Sequence, residues 1–225
     1  MKKGKNGFYA KYTKRFLDIT CSVLGLILFW WVYAIIALLV RIKLGSPVIY
    51  TAERPGLHGK IFKLYKFRSM TNEKDENGVL LPANKRTTRF GRLLRSTSLD
   101  ELPEIFINVI KGEMSLIGPR PLSDKYLPYY TEEEMHRHDV LPGITGLAQV
   151  SGRNNLPWEE RFALDLKYVN EVSFKLDMYI LFQTVLKVFK RADIADTSVT
   201  TEINFSTYRE AQLKEQKEAE VLKNN

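Results

Sequence analysis

The fold is decided by one uninterrupted apolar segment, ITCSVLGLILFWWVYAIIALLV, which occupies residues 19–40. Its 22 residues include no charged side chain, and a helix of about 20 apolar residues is long enough to cross a bilayer. The segment exceeds the apolar core of a secretory signal and is followed by a poor cleavage site, so we expect a permanent anchor. The rest of the 225-residue chain is polar, which predicts one globular domain beside the membrane segment.

Both flanks of the apolar segment are basic, within a net charge of +8. The flanking cations are Lys2, Lys3, Lys5, Lys11, Lys14 and Arg15 before it, and Arg41, Lys43, Arg54, Lys60, Lys63, Lys66 and Arg68 after it. Such clusters are attracted to anionic membrane lipid. Basic flanks on both sides favour a segment that enters and leaves through the cytoplasmic face, as a re-entrant hairpin or an interfacial helix. A simple single span is the alternative.

The globular part is predicted to have an α+β fold. Short strands near residues 47–52 and 61–67 are joined by a Pro-Gly turn into a hairpin, and amphipathic helices are predicted at 102–110, 158–169 and 177–189. The last helix could equally rest on a membrane surface. The single cysteine, Cys21, excludes an internal disulfide and suits a reducing, cytosolic setting.

The chain is predicted to have three regions. They are the basic N-terminus and membrane helix at 1–45, a cytoplasmic domain at 46–195 and a polar tail at 196–225. Because residues 207–225 have few apolar positions, we expect a frayed exposed helix or a disordered segment there. No glycine fingerprint of a doubly wound nucleotide fold is present in the sequence.

An acidic pair opens the helix predicted at 102–110, in the run Ser98-Leu99-Asp100-Glu101-Leu102-Pro103-Glu104. Ser98 and Glu101 have capping-box spacing, but Pro103 would then be the fifth helical residue and would lack a needed N–H. The helix is therefore expected to start at or after Asp100. An ionised carboxylate at this position suits attack on phosphorus or binding of Mg²⁺, and helix capping remains the simpler alternative.

Several arginines are placed to bind phosphate. A stripe of Arg86, Arg89, Arg92 and Arg95 has no interleaved acid, which suits a phosphate or lipid headgroup as well as a solvated helix face. Arg120 stands between two prolines, and Arg153 and Asn154 follow a glycine in a turn-rich stretch. His136 and His138 are two residues apart, so on a helix they do not share a face. A solvated helix start explains the two histidines better than a metal site.

Five motifs in order resemble the monotopic phosphoglycosyl transferases of bacterial glycoconjugate assembly. They are Lys66-Phe67-Arg68-Ser69-Met70, Leu99-Asp100-Glu101-Leu102-Pro103, Gly118-Pro119-Arg120-Pro121, Pro142-Gly143-Ile144-Thr145-Gly146 and Gly152-Arg153-Asn154. The likeness covers residues 10–195 and looks closest to the small enzymes that act on UDP-diacetylbacillosamine or similar N-acetylated sugars. One departure is Trp30-Trp31, which stands where the family often has a helix-breaking Ser-Pro.

The resemblance implies an enzyme of the bacterial cytoplasmic membrane whose domain faces the cytoplasm. It would transfer a sugar-1-phosphate from a UDP-sugar to polyprenyl (undecaprenyl) phosphate and release UMP. Asp100 would be the nucleophile, and Glu101 would help to hold Mg²⁺ beside it. The phosphates of the two substrates would be bound by Lys66, Arg68, Arg95, Arg120, Arg153 and Asn154. The partners implied are these substrates and anionic lipid, with no nucleic acid.

Two rival interpretations remain at this point. A non-enzymatic membrane adaptor would explain the basic charge but not the acidic pair. A transferase of the same family that acts on a UDP-hexose would carry the same motifs.

Overall fold

The computed structural model describes residues 4–152, 156–190 and 204–223. Its helices are α1 (Lys14–Leu44), α2 (Ala83–Arg86), α3 (Arg89–Ser96), α4 (Glu132–Met135), α5 (Leu147–Ser151), α6 (Trp158–Glu171), α7 (Phe174–Lys190) and α8 (Phe205–Lys223). Its strands are β1 (Ile49–Pro55), β2 (Ile61–Phe67), β3 (Ser115–Ile117) and β4 (Gly143–Thr145). Short 3₁₀ turns cover Gly4–Asn6, Leu57–Gly59, Asp124–Tyr129 and His136–Asp139, and a π-helical turn at Tyr9–Thr13 leads into α1. Helices combined with two small sheets confirm the α+β prediction.

The anchor segment forms one continuous helix. α1 runs through Trp30 and Trp31 without interruption over 31 residues, so the break that a re-entrant hairpin needs is not observed and that part of the prediction is wrong. The middle of the segment contains no proline or paired glycine that would interrupt the hydrogen-bond ladder. The helix is long and apolar enough to cross a membrane.

Both ends of α1 pack against the globular domain. Near its start, Lys14 Nζ lies 2.7 Å from Asp177 Oδ2, and Asp18 accepts a hydrogen bond from the backbone of Leu116. Near its end, a buried cluster consists of Ile36, Val40, Leu44, Phe67 and Leu94. Exposed apolar residues of α1 are Phe16, Ile19, Val23, Leu24, Ile27, Leu28, Phe29, Trp30, Trp31, Ile35, Leu38 and Ile42. Both ends of α1 are thus attached to the domain, while its middle presents an apolar surface.

The acidic pair lies at the start of a helix that begins one residue earlier than expected. A 3₁₀ turn at Leu99–Glu101 continues through Leu102 and Pro103 into a π-helical segment at Glu104–Val109, and we call this run the dyad helix. Pro103 is accommodated because the hydrogen-bond spacing changes from three to five residues around it, so its missing N–H is not required. Gly112, with φ of 89°, ends the helix.

Arg15, in the first turn of α1, caps the far end of the dyad helix. Its guanidinium donates to the carbonyl oxygens of Val109 and Ile110 at 2.7 and 3.1 Å, where the helix dipole favours a cation. Lys5 pairs with Asp139, and Lys14 pairs with Asp177. These N-terminal cations are therefore bound within the protein, which leaves less charge for anionic lipid than the sequence indicates.

Two sheets frame the dyad helix. β1 and β2 pair antiparallel, with Ile49 opposite Phe67, as the hairpin prediction requires. β3 and β4 form a parallel pair with Ser115 opposite Gly143; each has three residues, which is too short for a sequence pattern to predict. The segment that follows β3 carries Arg120 back toward the dyad helix.

The C-terminal helix differs most from expectation. Phe205, at the start of α8, is fully buried beside Trp158 and Phe162, and Arg209 forms a buried ion pair with Glu134. The first turns of α8 are therefore packed on the domain rather than frayed or disordered. Because these contacts come from a few residues near its start, the helix as a whole shows little apolar periodicity.

Candidate active site

The acidic dyad, Asp100 and Glu101, lies in a cleft of about 1390 Å³. The chain enters it through Ser98, whose φ of 55° puts a non-glycine residue in the left-handed region. Such strain costs of order 1–3 kcal/mol and is concentrated at functional sites. The cleft also contains four of the predicted binding residues, which are Lys66, Arg68, Arg95 and Arg120.

Glu101 is held as an anion by two cations. Its Oε1 accepts hydrogen bonds from Lys66 Nζ at 2.8 Å and from Arg120 Nη2 at 2.9 Å. Burial alone would raise the pKa of Glu101, but the charges of Arg120 and Lys66 outweigh it and lower the pKa to about 2. Glu101 therefore stays ionised throughout the physiological range.

Asp100 has a different environment although it is adjacent in sequence. It is 8% exposed, and within the described residues its carboxylate accepts no hydrogen bond from another side chain. Burial and the negative charge of Glu101 raise its pKa to about 6, against the opposing charges of Lys66 and Arg95. The arginine-rich surroundings thus do not hold Asp100 as firmly ionised as the sequence predicts, but near pH 7 the anion predominates and its lone pairs remain available.

Glu104 is a third carboxylate of the site that sequence reasoning did not assign. It is 2% exposed, and its Oε1 lies 3.0 Å from Lys66 Nζ. The contact is ionic, since its geometry does not meet that of a hydrogen bond. Lys66 thus bridges Glu101 and Glu104. Glu104 follows Asp100 by four residues, and this spacing places both on one helix face. The same spacing is the feature of the sequence from which Glu104 could have been predicted.

The other predicted cations have separate positions. Arg95 Nε donates to Ser69 Oγ at 2.8 Å, and Arg68 Nη1 donates to the carbonyl oxygen of Ser46, just beyond the end of α1. Burial lowers the pKa of the Arg68 guanidinium. The arginine stripe is divided, because Arg86 donates to the backbone carbonyls of Leu81 and Thr71, while the charge of Arg95 acts on Asp100. Arg153 and Asn154 lie outside the described residues.

The donor set fits a Mg²⁺ ion only with help from a substrate. Within residues 4–152, 156–190 and 204–223, no group of three His, Cys, Asp or Glu side chains is placed to hold a metal. Mg²⁺ usually binds one or two carboxylates together with waters and substrate phosphates. Asp100 is free to serve as such a ligand, whereas one oxygen of Glu101 is already shared by Lys66 and Arg120.

The two histidines have different surroundings. His136 is exposed and contacts Asp139, as a solvated helix start predicts. His138 is buried instead. Burial, and to a smaller extent the positive charge of Arg137, lower its pKa to about 4. The prediction of a solvated helix start is therefore wrong for His138, because the chain folds the 136–139 turn under Tyr130.

Comparison with known proteins supplies the family context. The profile of one family, described as bacterial sugar transferase, matches residues 9–191. An uncharacterized sugar transferase of Bacillus subtilis, EpsL, is 49% identical over 193 residues, which are 86% of this chain and 95% of that protein.

Longer relatives match with only part of their length. The UDP-glucose:undecaprenyl-phosphate glucose-1-phosphate transferase of Klebsiella pneumoniae is 42% identical over 78% of this chain and 40% of its own length. The undecaprenyl-phosphate galactose phosphotransferase of Salmonella typhimurium is 39% identical over 81% of this chain and 41% of its own length. The chain thus spans about two fifths of these two proteins.

Proposed function

The chain belongs to the bacterial sugar transferase family, and from this premise we propose that it transfers a sugar-1-phosphate from a UDP-sugar to polyprenyl phosphate and releases UMP. The observation that carries the proposal is the contrast within the dyad. Glu101 is neutralised by Lys66 and Arg120, while Asp100 faces the same cleft with a carboxylate that accepts no hydrogen bond from another side chain among the described residues. The non-enzymatic adaptor considered from the sequence gives no reason for this arrangement.

The chemistry proceeds by two displacements at one phosphorus. A carboxylate oxygen of Asp100 attacks the β-phosphorus of the donor, and the bond to the bridging oxygen breaks so that UMP leaves. An oxygen of polyprenyl phosphate then attacks the phosphorus of the Asp100 adduct and restores the free carboxylate. Arg120, Lys66 and Arg95 stabilise the negative charge of the phosphates during both steps. Arg68, Arg153 and Asn154 are proposed to contribute to substrate binding.

Mg²⁺ is proposed as the cofactor, held by Asp100 and Glu101. When bound, it would neutralise charge on the diphosphate and on the leaving UMP. The measurement is UMP release with the metal removed by EDTA and then restored. Full activity in EDTA would exclude a metal requirement.

The identity of the sugar separates two candidates. Resemblance to the small enzymes favours an N-acetylated amino sugar, whereas the Klebsiella and Salmonella relatives are named for glucose and galactose. A UDP-hexose is therefore a second candidate donor. The protein should be incubated with a panel of both kinds of UDP-sugar and with Mg²⁺, without polyprenyl phosphate.

A competent donor is expected to release up to one UMP per site and to add a sugar-phosphate mass to the peptide that contains Asp100. The mass identifies the sugar, and polyprenyl phosphate should remove it. If UMP forms only when both substrates are present and no adduct is detected with any competent donor, direct transfer replaces the covalent mechanism.

We propose that α1 anchors the protein in one leaflet of the bacterial cytoplasmic membrane, with the domain facing the cytoplasm. Anionic lipid is the proposed partner of the remaining basic residues, and α7 adds an exposed apolar face made of Phe174, Met178, Tyr179, Leu181, Phe182, Val185 and Val188. Single reporter cysteines at Lys5 and Asn225, in a Cys21→Ser background, should both resist an impermeant reagent in intact cells. Labelling of Lys5→Cys alone from outside would establish a spanning helix.

A further inference from the structure

We propose that Arg137 is a positioning residue that sets the place of Arg120 through its backbone, an inference that rests on the role of Arg120 in the proposed function. Arg137 is 3% exposed and lies in the 136–139 turn, away from the dyad in sequence. Its Nη2 donates to the carbonyl oxygen of Arg120 at 2.8 Å. It therefore acts on the backbone of a residue whose own side chain binds Glu101.

The guanidinium of Arg137 is itself fixed by a buried carboxylate. Nε and Nη2 both donate to Asp165 Oδ2, at 3.0 and 2.7 Å. Asp165, on α6, is 4% exposed, so the pair is largely shielded from water. A fork of donors that engages a carboxylate and a carbonyl together is a geometry that arginine provides and lysine does not.

Aromatic rings confine Arg137 from the sides. The rings of Tyr130 and Phe162 each have their centroid 5.7 Å from its Cζ, within the range of cation–π attraction. Phe205 of α8 packs on both rings, at 5.4 and 5.0 Å between centroids. These ring contacts restrict where the Arg137 guanidinium can lie.

The segment around Arg120 is also held from its other side. Gly118 N donates to Thr145 O at 2.8 Å, and Gly143 N donates to Pro119 O at 3.0 Å. A Cβ on Gly118 would lie 2.4 Å from Leu141 O, so this close approach requires glycine. With β4 holding residues 118 and 119 and Arg137 holding residue 120, the Arg120 side chain starts from a fixed backbone and reaches Glu101.

A double-mutant cycle on the full-length protein tests the inference. The four proteins are the unaltered chain, Arg137→Lys, Arg120→Ala and the double variant. Arg137→Lys retains the charge beside Asp165 but loses the fork that reaches the Arg120 carbonyl. The readouts are the affinity for UDP with Mg²⁺, measured by calorimetry, and the rate of UMP release from a competent donor.

We expect Arg137→Lys to weaken UDP binding and to slow UMP release about tenfold when Arg120 is present, and less than about twofold in the Arg120→Ala background. An equal loss in both backgrounds, or no loss of UDP affinity, overturns the inference. Arg209→Lys is the matched control, because Arg209 also forms a buried ion pair, with Glu134, but does not contact Arg120; both readouts should be unchanged in it.

The cycle also separates this inference from the proposed function. If the unaltered chain binds UDP but releases no UMP from any donor, the proposed function fails while the UDP affinities still decide the role of Arg137. If the unaltered chain does not bind UDP, both fail.

Discussion

Two buried aspartates of this chain have opposite surroundings. Asp177, 1% exposed, accepts hydrogen bonds from Lys14 Nζ at 2.7 Å and from the hydroxyls of Tyr9 and Tyr168 at 2.7 and 2.8 Å. Asp100, 8% exposed, accepts none from another side chain within the described residues. Burial without donors is unfavourable for an anion. This difference separates Asp177, which joins α1 to α7, from Asp100, the proposed nucleophile.

The comparison shows that burial alone does not identify a catalytic carboxylate. Both side chains lie within reach of a cation, and both would count as buried charges. The distinguishing property is unused acceptor capacity, which at Asp177 is filled by the protein and at Asp100 is left for a substrate or a metal. Substitutions of the two aspartates should therefore change different measured quantities.

The largest effect is expected for Asp100→Asn. An amide is a poor nucleophile, so the rate of UMP release should fall by about 10³-fold or more. The thermal midpoint should stay the same or rise, because the substitution removes a desolvated charge. Rate and midpoint are measured on the same preparation. If Asp100→Asn releases UMP at more than a tenth of the unaltered rate, Asp100 is not the nucleophile. The two aspartates would then not differ in function as proposed.

Asp177→Asn should instead change stability. Breaking a buried ion pair by removing one partner typically costs about 3–5 kcal/mol, and this loss should appear in the free energy of unfolding measured with urea in detergent micelles. The fraction that remains folded should retain its rate of UMP release. Adding Lys14→Met should recover part of the stability, since no unpaired charge is then buried. A fully stable but inactive Asp177→Asn protein would contradict a purely structural role.

A smaller and graded effect is expected from pH. Because burial and Glu101 raise the pKa of Asp100 to about 6, the reactive anion is present above that pH and is lost as pH falls through it. The rate of UMP release should decrease about tenfold for each unit below pH 6, while Glu101, with a pKa of about 2, stays ionised. Raising the Mg²⁺ concentration should shift this decrease in rate to lower pH, because the cation stabilises the ionised carboxylate of Asp100. A rate independent of pH between 5 and 7 would contradict the assignment.

Much of the fold was available from the sequence because its signals are local. The apolar segment, the β1–β2 hairpin and helices α6 and α7 each have a regular pattern of apolar residues or a clear turn. The charge of the flanks left a hairpin, an interfacial helix and a single span open, and α1 is continuous through Trp30-Trp31. The flanking cations are partly used in pairs such as Lys14 with Asp177. α8 docks through a few residues near its start, such as Phe205 and Arg209, and apolar periodicity does not reveal such contacts.

Within the candidate site, motifs predicted which residues gather but not how they pair. Lys66, Asp100, Glu101 and Arg120 come from three separate segments, and the sequence contains no sign that Lys66 and Arg120 share one oxygen of Glu101. The support given to Arg120 by Arg137 is likewise a tertiary contact between residues 17 positions apart. Such pairings depend on the relative placement of elements, which local spacing does not encode.

The bonds from Arg15 to the last carbonyls of the dyad helix have a mechanical consequence. They join the first turn of the anchor to the helix that carries Asp100 at its opposite end, with no linker between the two. With α1 in one leaflet, as proposed, the depth at which it settles in the lipid would fix the height of Asp100 above the headgroups. The proposed acceptor, a lipid phosphate that diffuses in the plane of the leaflet, would then have to reach that height without a movement of the domain.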